Sequence, residues 1–276
     1  MELKPAVPIR LIALDLDGTL LRADKSIGPR SVAALRAARA KGVEIVLASG
    51  RMTPAMEPAI KALGLDLFLV SYNGAAVRGP IADGRELLYH RPLPTDIAAD
   101  LYAYARERRL QVNYYLDDLI VSEDAPHLRP WIDIYRERTG SPYRFVKSLQ
   151  GFLHREPTKL LLVMEPAQRE AVAVHWKAKL GTRAAVVRTD PEYLEFLAPG
   201  ASKGDALGFI AGKLGVDFSE IMAMGDGEND VSMLSRAGWP VAVANAGAAC
   251  RAAAKAFTER DHENDAVAEA VERWVL

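Results

Sequence analysis

Cysteine is almost absent. Cys250 is alone among 276 residues, which excludes an intramolecular disulfide and a cysteine metal cluster and suits a reducing compartment, the cytoplasm. It lies in an alanine-rich stretch and reads as a small buried hydrophobe. An excess of charge of one sign is missing too. Lys and Arg number 35 against 36 Asp and Glu, and the two signs are interspersed, so the chain has no electrostatic footprint for nucleic acid or an anionic membrane. No apolar run approaches the ~20 residues needed to span a bilayer, and Asp15 and Asp17 interrupt any signal-like segment near the N-terminus. The five histidines, His90, His127, His154, His175 and His262, are scattered with no pair at metal-ligand spacing, and surface positions are expected for them. Internal repeats, low-complexity tracts and long linkers are absent as well.

What is present is ample apolar material. Half of the residues are hydrophobic, and the length exceeds that of a usual single domain, so two domains of ~100–150 residues are expected. The run Ile9-Arg10-Leu11-Ile12-Ala13 leads into Leu14-Asp15-Leu16-Asp17-Gly18-Thr19. A short apolar run that ends abruptly in two carboxylates, a glycine and a hydroxyl has the pattern of a buried parallel strand ending at a site. Ligands of open α/β sheets sit just beyond such strand ends. Taken alone, the stretch reads equally well as a turn or helix cap.

The pattern repeats along the chain. A helical segment from Pro29 to Ala40 precedes the strand Val43–Ala48, which stops at Ser49-Gly50-Arg51. A helix from about Thr53 to Leu63 precedes the strand Leu67–Val70, which runs into Ser71-Tyr72-Asn73-Gly74. This alternation implies parallel strands with right-handed crossovers. A hairpin follows around Asp83-Gly84. Beyond Pro92 the texture becomes antiparallel, with helices at about 95–108, 128–138 and 166–180, a loop over 139–157, and strands through Val112–Leu116, Leu119–Val121 and Lys159–Met164. Parallel texture returns with a helix from Ser202 to Leu214 and the strand Ile221–Met224, which enters Gly225-Asp226-Gly227-Glu228-Asn229-Asp230. The reading is α/β: a Rossmann-like parallel-sheet core, residues 1–90 with 189–276, interrupted by an inserted α+β domain, residues 91–188.

Four separated segments thus present small polar or charged groups at strand ends or a helix entry: Asp15 and Asp17, Ser49, Lys203, and Asp226 with Asp230. Each has a bland alternative. Ser49-Gly50 can be a strand-ending turn, Lys203 a solvated helix-start lysine, and Asp226-Gly227 a turn. Their joint occurrence in this order is far more specific. Through DLDGTL, LASGR, SYNGA, YLEF…SKGDAL and GDGENDVSML, the sequence resembles the haloacid dehalogenase superfamily of phosphohydrolases, in the Cof-type branch with an inserted type IIB α/β cap. The resemblance covers essentially the whole chain.

That resemblance implies a Mg²⁺-dependent phosphatase acting on small phosphorylated metabolites through an aspartyl phosphate. Asp15 would be the nucleophile and Asp17 the acid and base, with Ser49 and Lys203 binding the phosphoryl group. The implied metal ligands are the Asp15 carboxylate, the Asp17 carbonyl and Asp226, with Asp230 binding directly or through water. Leu16, Gly50, Asn73, Gly74 and Asn229 are additional candidate phosphate donors. Acting as an acid calls for a raised pKa at Asp17, which an acidic cluster would favour. The cap would cover the strand ends and choose the substrate, with Tyr114, Tyr115, Asp117, Asp118, His154 and Arg183 as candidates. The branch handles sugar phosphates, flavin nucleotides and precursors, and pyridoxal phosphate. The chain is expected to be a monomer or homodimer. Two rival readings are a phosphosugar mutase and a non-catalytic phospho-ligand-binding protein; retention of Asp15, Asp17 and Lys203 argues against the second.

Overall fold

Leu11 to Leu14 have no solvent exposure, and they form β1 (Leu11–Asp15), the strand about which the first sheet is built. In the computed structural model, which describes residues 4–276, β1 is followed by α1 (Pro29–Ala40), β2 (Glu44–Ala48), α2 (Glu57–Leu63), β3 (Phe68–Ser71) and the hairpin strands β4 (Ala76–Arg78) and β5 (Leu87–His90). A separate set of elements intervenes: α3 (Thr95–Arg108), β6 (Gln111–Leu116), β7 (Leu119–Glu123), α4 (Arg129–Thr139), β8 (Tyr143–Val146), β9 (Lys159–Val163), α5 (Pro166–Leu180), β10 (Ala185–Arg188) and β11 (Tyr193–Leu197). The chain then returns through α6 (Lys203–Leu214), β12 (Ile221–Gly225), α7 (Val231–Leu234), β13 (Trp239–Ala242), α8 (Ala248–Ala253), β14 (Ala256–Phe257) and α9 (Ala266–Trp274).

The first sheet has the order β14-β13-β12-β1-β2-β3-β4-β5. Its strands from β14 to β3 are parallel, and β4 runs antiparallel to β3. Their continuous apolar runs reflect burial on both faces. The order reverses between β1 and β12, so the ends of these two neighbours form the topological switch point where open sheets bind ligands. Asp15 ends β1, and Asp226 directly follows β12. Trp239 and Trp274 pack edge to face at 5.7 Å, fastening α9 to β13. Cys250 is buried, and burial pushes its thiol up to about 12, the state of an inert cysteine.

The chain divides into two units, one comprising everything up to Tyr89 together with Ser202–Leu276, the other His90–Ala201. The expected boundary at 188/189 is therefore corrected to 201/202. The reason is β11, which pairs antiparallel with both β10 and β9 inside the second sheet, of order β10-β11-β9-β6-β7-β8. The expected loop over 139–157 also contains β8, paired in parallel with β7. The predicted helix from Thr53 begins as a single 3₁₀ turn, Thr53–Met56. Pro58, lacking an N–H, is tolerated only in the first turn of the α-helix that follows. Among the described residues no helix is long and apolar enough to cross a membrane.

The second sheet alternates as the pleat requires. Tyr114, Leu160, Leu162, Leu194 and Phe196 join Leu101 of α3 and the fully buried Trp176 of α5 in one apolar cluster. On the opposite face Lys159 pairs with Glu195 at 2.9 Å, and Tyr135 of α4 meets Tyr115, hydroxyl to hydroxyl at 2.6 Å. Burial holds Tyr115, Tyr135 and Tyr143 well above the usual phenol range and pushes Tyr114 up to about 12. A folded-state pKa above the unfolded value of ~10 contributes stability that is complete below that pH and lost as pH rises through the folded value. A spectrophotometric titration should therefore show these four tyrosines ionising after the exposed ones, in a cooperative step that coincides with loss of ellipticity. Ionisation of all tyrosines in a single step near pH ~10 would contradict this burial.

Candidate active site

After Asp15 the backbone folds sharply back. The Leu16 carbonyl accepts the N–H groups of Thr19, Leu20 and Leu21 at 3.4, 3.1 and 2.8 Å. Gly18 makes the reversal with φ +82°, and a Cβ there would fall 2.5 Å from Asp226 Oδ2. Only glycine permits both the conformation and the close passage. Thr19 Oγ1 then donates to Asp226 Oδ1 at 3.0 Å. On the β12 side, Asp230 folds back so that its Oδ2 accepts the N–H groups of Asp226 and Gly227, each at 2.9 Å.

Lys203 is the first residue of α6, whose start is capped by Ser202 Oγ accepting the Asp205 N–H at 3.1 Å. Its Nζ has no solvent exposure and donates to Asp15 Oδ1 at 2.5 Å and to Asp230 Oδ1 at 2.6 Å. The next residue explains the depth of this insertion. A Cβ on Gly204 would lie 2.2 Å from the Ser232 carbonyl oxygen, so the absence of a side chain lets α6 press against α7.

Burial raises the Asp15 carboxyl well above the usual carboxylate range; repulsion from Asp230 adds to this and Lys203 opposes it. Asp226 is raised by burial and by Asp230. Burial works against the Lys203 ammonium, yet Asp15 and Asp230 outweigh it and raise its pKa. Carboxylate oxygens of Asp15, Asp226 and Asp230 lie within 4.8 Å of one another. Three carboxylates face one ammonium, so the cluster has uncompensated negative charge, and its all-oxygen donor set suits a hard divalent cation such as Mg²⁺. The residues present fit that group.

The other predicted residues gather nearby in sequence-distant loops. Ser49 is buried; its carbonyl accepts the Asn73 N–H at 3.0 Å and its Oγ accepts the Arg51 N–H at 3.1 Å. Tyr72, Asn73 and Gly74 all have positive φ, of 53°, 54° and 100°. Three such residues in succession, two with side chains, are a costly local conformation of the kind found at functional loops. Asn229 Nδ2 donates to Asn73 Oδ1 at 3.1 Å, and a Cβ on Gly50 would sit 3.0 Å from that same oxygen. The strand ends carrying Ser49, Asn73 and Asn229 are thereby laced together.

Asp17 departs from expectation. Its side chain is 41% exposed and turned to Arg51, which donates from Nε and Nη2 at 2.6 Å each, and to Lys25, which donates at 2.9 Å. Burial favours a higher pKa, but Arg51 and Lys25 overcome it and hold the carboxyl below the usual range. The expected rise at Asp17 is therefore corrected to a fall. Arg51 was visible in LASGR only as a residue at a strand stop, and Lys25 carried no signal beyond its charge. Thr19 is a third contributor that chemistry alone did not single out. In the second unit, Tyr114 and Tyr115 are buried, not loop residues. Asp117 is paired with Arg155 at 2.7 Å, and Arg183 with Asp96.

A buried carboxylate at the switch point of a parallel sheet, gripped by a lysine and grouped with two further aspartates, is the arrangement of a candidate active site. The model of the haloacid dehalogenase-like hydrolases matches residues 12–271, and the chain belongs to that family. A solved haloacid dehalogenase-like hydrolase from Bacteroides thetaiotaomicron is 31% identical, covering 96% of this chain and 99% of that one with a TM-score of 0.86. An Escherichia fergusonii protein named HMP-PP phosphatase is 29% identical over 96% of each chain. An Arabidopsis thaliana protein named endoribonuclease YBEY, chloroplastic, is 28% identical over 96% of this chain, which spans only 46% of that longer protein.

Replacing Gly204 by alanine should force α6, and Lys203 with it, away from α7. The expected result is a loss of ~1–3 kcal/mol in urea unfolding together with reduced turnover. Unchanged stability would contradict the close approach.

Proposed function

We propose that this protein is a Mg²⁺-dependent phosphatase that hydrolyses small phosphate monoesters in the cytoplasm through an aspartyl phosphate on Asp15. The observation that carries the reading is Asp15 itself, a buried carboxylate at a sheet switch point, held through one oxygen by Lys203 and neighboured by Asp226 and Asp230. The name of the HMP-PP phosphatase relative supports the reaction class, and the presence of a single cysteine suits a reducing compartment.

The chemistry follows from these side chains. Phosphate esters are anionic and hydrolyse slowly, so the site must neutralise charge and align a nucleophile. Asp15, Asp226, the Asp17 carbonyl and Asp230, the last directly or through water, would hold Mg²⁺, which when bound offsets the repulsion between carboxylate and phosphate. A carboxylate oxygen of Asp15 bonds to phosphorus as the bond to the leaving-group oxygen breaks, and that oxygen takes a proton from Asp17. Water then gives a proton back to Asp17 and bonds to phosphorus, the Asp15–phosphorus bond breaks, and inorganic phosphate leaves. Lys203 and the Ser49 hydroxyl stabilise charge on the phosphoryl oxygens. Arg51 and Lys25 keep Asp17 ionised but lower its affinity for a proton, so both donating one to the leaving group and taking one from water require that grip to loosen.

The substrate falls in the range of sugar phosphates, flavin or nucleotide phosphates, and pyridoxal phosphate, and a screen of phosphorylated metabolites for phosphate release identifies it. A hexose 1-phosphate in that screen separates hydrolysis from a mutase, which would isomerise it without releasing phosphate. Asp15→Asn should abolish turnover of p-nitrophenyl phosphate while leaving the fold intact. Asp17→Asn should slow alkyl phosphates by about 10²–10⁴-fold and p-nitrophenyl phosphate less, because its phenolate departs without a proton. Full activity of Asp15→Asn would defeat the assignment.

A further inference from the structure

The two acid-bearing loops leave neighbouring strands, yet the ladder between β1 and β12 ends at Leu14 and Met224, before either loop begins. A third segment, the loop after β13, reaches both. Asn245 Nδ2 donates to the Gly18 carbonyl at 2.8 Å, and two residues later the Gly247 N–H donates to the Asp226 carbonyl at 2.9 Å. The same loop begins with the Val243 N–H on the Gly225 carbonyl at 3.3 Å. Asn245 is itself fixed from the other side, its Oδ1 accepting the His262 N–H at 3.1 Å.

We propose that Asn245 is a positioning residue for the cation site: by pinning Gly18 while Gly247 pins Asp226, the loop after β13 fixes the spacing between the two acid-bearing strand ends. This rests on the Mg²⁺ phosphatase reading above. Gly18 lies between Asp17, whose carbonyl is a proposed ligand, and Thr19, whose hydroxyl holds Asp226. Pinning its carbonyl therefore constrains the peptides on both sides. The task calls for asparagine, since one short side chain must donate to a carbonyl and accept from an N–H at once. Aspartate lacks the donor, and alanine lacks both groups. Asn245 touches neither the reacting atoms nor the acids; it acts through the backbone that presents them.

The test is calorimetric titration of Mg²⁺ into the metal-free protein, with the metal-free melting temperature recorded for each variant. Asn245→Ala should weaken Mg²⁺ binding about 10-fold, the low end for groups that orient metal ligands, with little change in melting temperature. Gly247 has φ −69°, which proline accepts, so Gly247→Pro removes the second N–H; Gly247→Ala keeps it, its Cβ only reaching 3.6 Å from the Asp226 carbonyl. Weaker binding in the proline variant with normal binding in the alanine variant is expected. Wild-type affinity in Asn245→Ala, or equal affinities in the two Gly247 variants, would overturn the proposal. Absence of Mg²⁺ binding by the wild-type protein would instead overturn the metal reading on which it rests.

Discussion

Lys203 sits between two carboxylates with no access to water, and the rest of the core is arranged so that it can. Removing the lysine would leave two buried carboxylates without their shared cation, at a cost of ~3–5 kcal/mol, whereas neutralising Asp15 alone leaves Lys203 paired with Asp230. The lysine is 188 residues from the aspartate it holds. Bringing them together requires the sheet to be completed on both sides of β1, with β2 and β3 from the first segment and β12 to β14 from the last. It also requires α6 to begin at one defined point, which the Ser202 cap and the bare Gly204 provide. The electrostatic cluster and the interrupted chain are therefore one constraint: the insert can be large, but the chain must return to place a single ammonium.

The same crowding sets the acids apart electrostatically. Asp15, Asp226 and Asp230 converge, and desolvation with repulsion from Asp230 makes ionisation of Asp15 and Asp226 harder. Asp17, two residues from Asp15, escapes that cluster because its side chain turns to Arg51 and Lys25. Two carboxylates nearly adjacent in sequence thus have opposite electrostatic surroundings, with Asp15 raised and Asp17 lowered.

Strand ends were legible in the sequence because a buried parallel strand must be apolar throughout and then stop, and β1, β2, β3 and β12 all do so in polar residues. Asp15, Ser49 and Asp226 stand out as candidates for that reason, whereas Lys203 opens a helix. Features that depend on pairing between distant segments were not legible. β11 lies beyond the expected boundary at 188/189, and its ladder with β9 assigns it to the insert. β8 is a half-exposed strand with no clear alternation. The pKa of Asp17 could not be foreseen because its partners lie eight and 34 residues away and face it only after folding. The parts taken by Asn245 and Thr19 are not legible for a similar reason: each works through a hydrogen bond to a segment more than 200 residues distant.

A nucleophilic Asp15 carries a covalent phosphoryl group once in each turnover. Rapid acid quench during steady-state hydrolysis, followed by peptide mass spectrometry, reads this out. The expected product is a peptide with a phosphoryl group on the Asp15 side chain. A quenched protein with no covalent phosphate, or with phosphate on another residue, would contradict it.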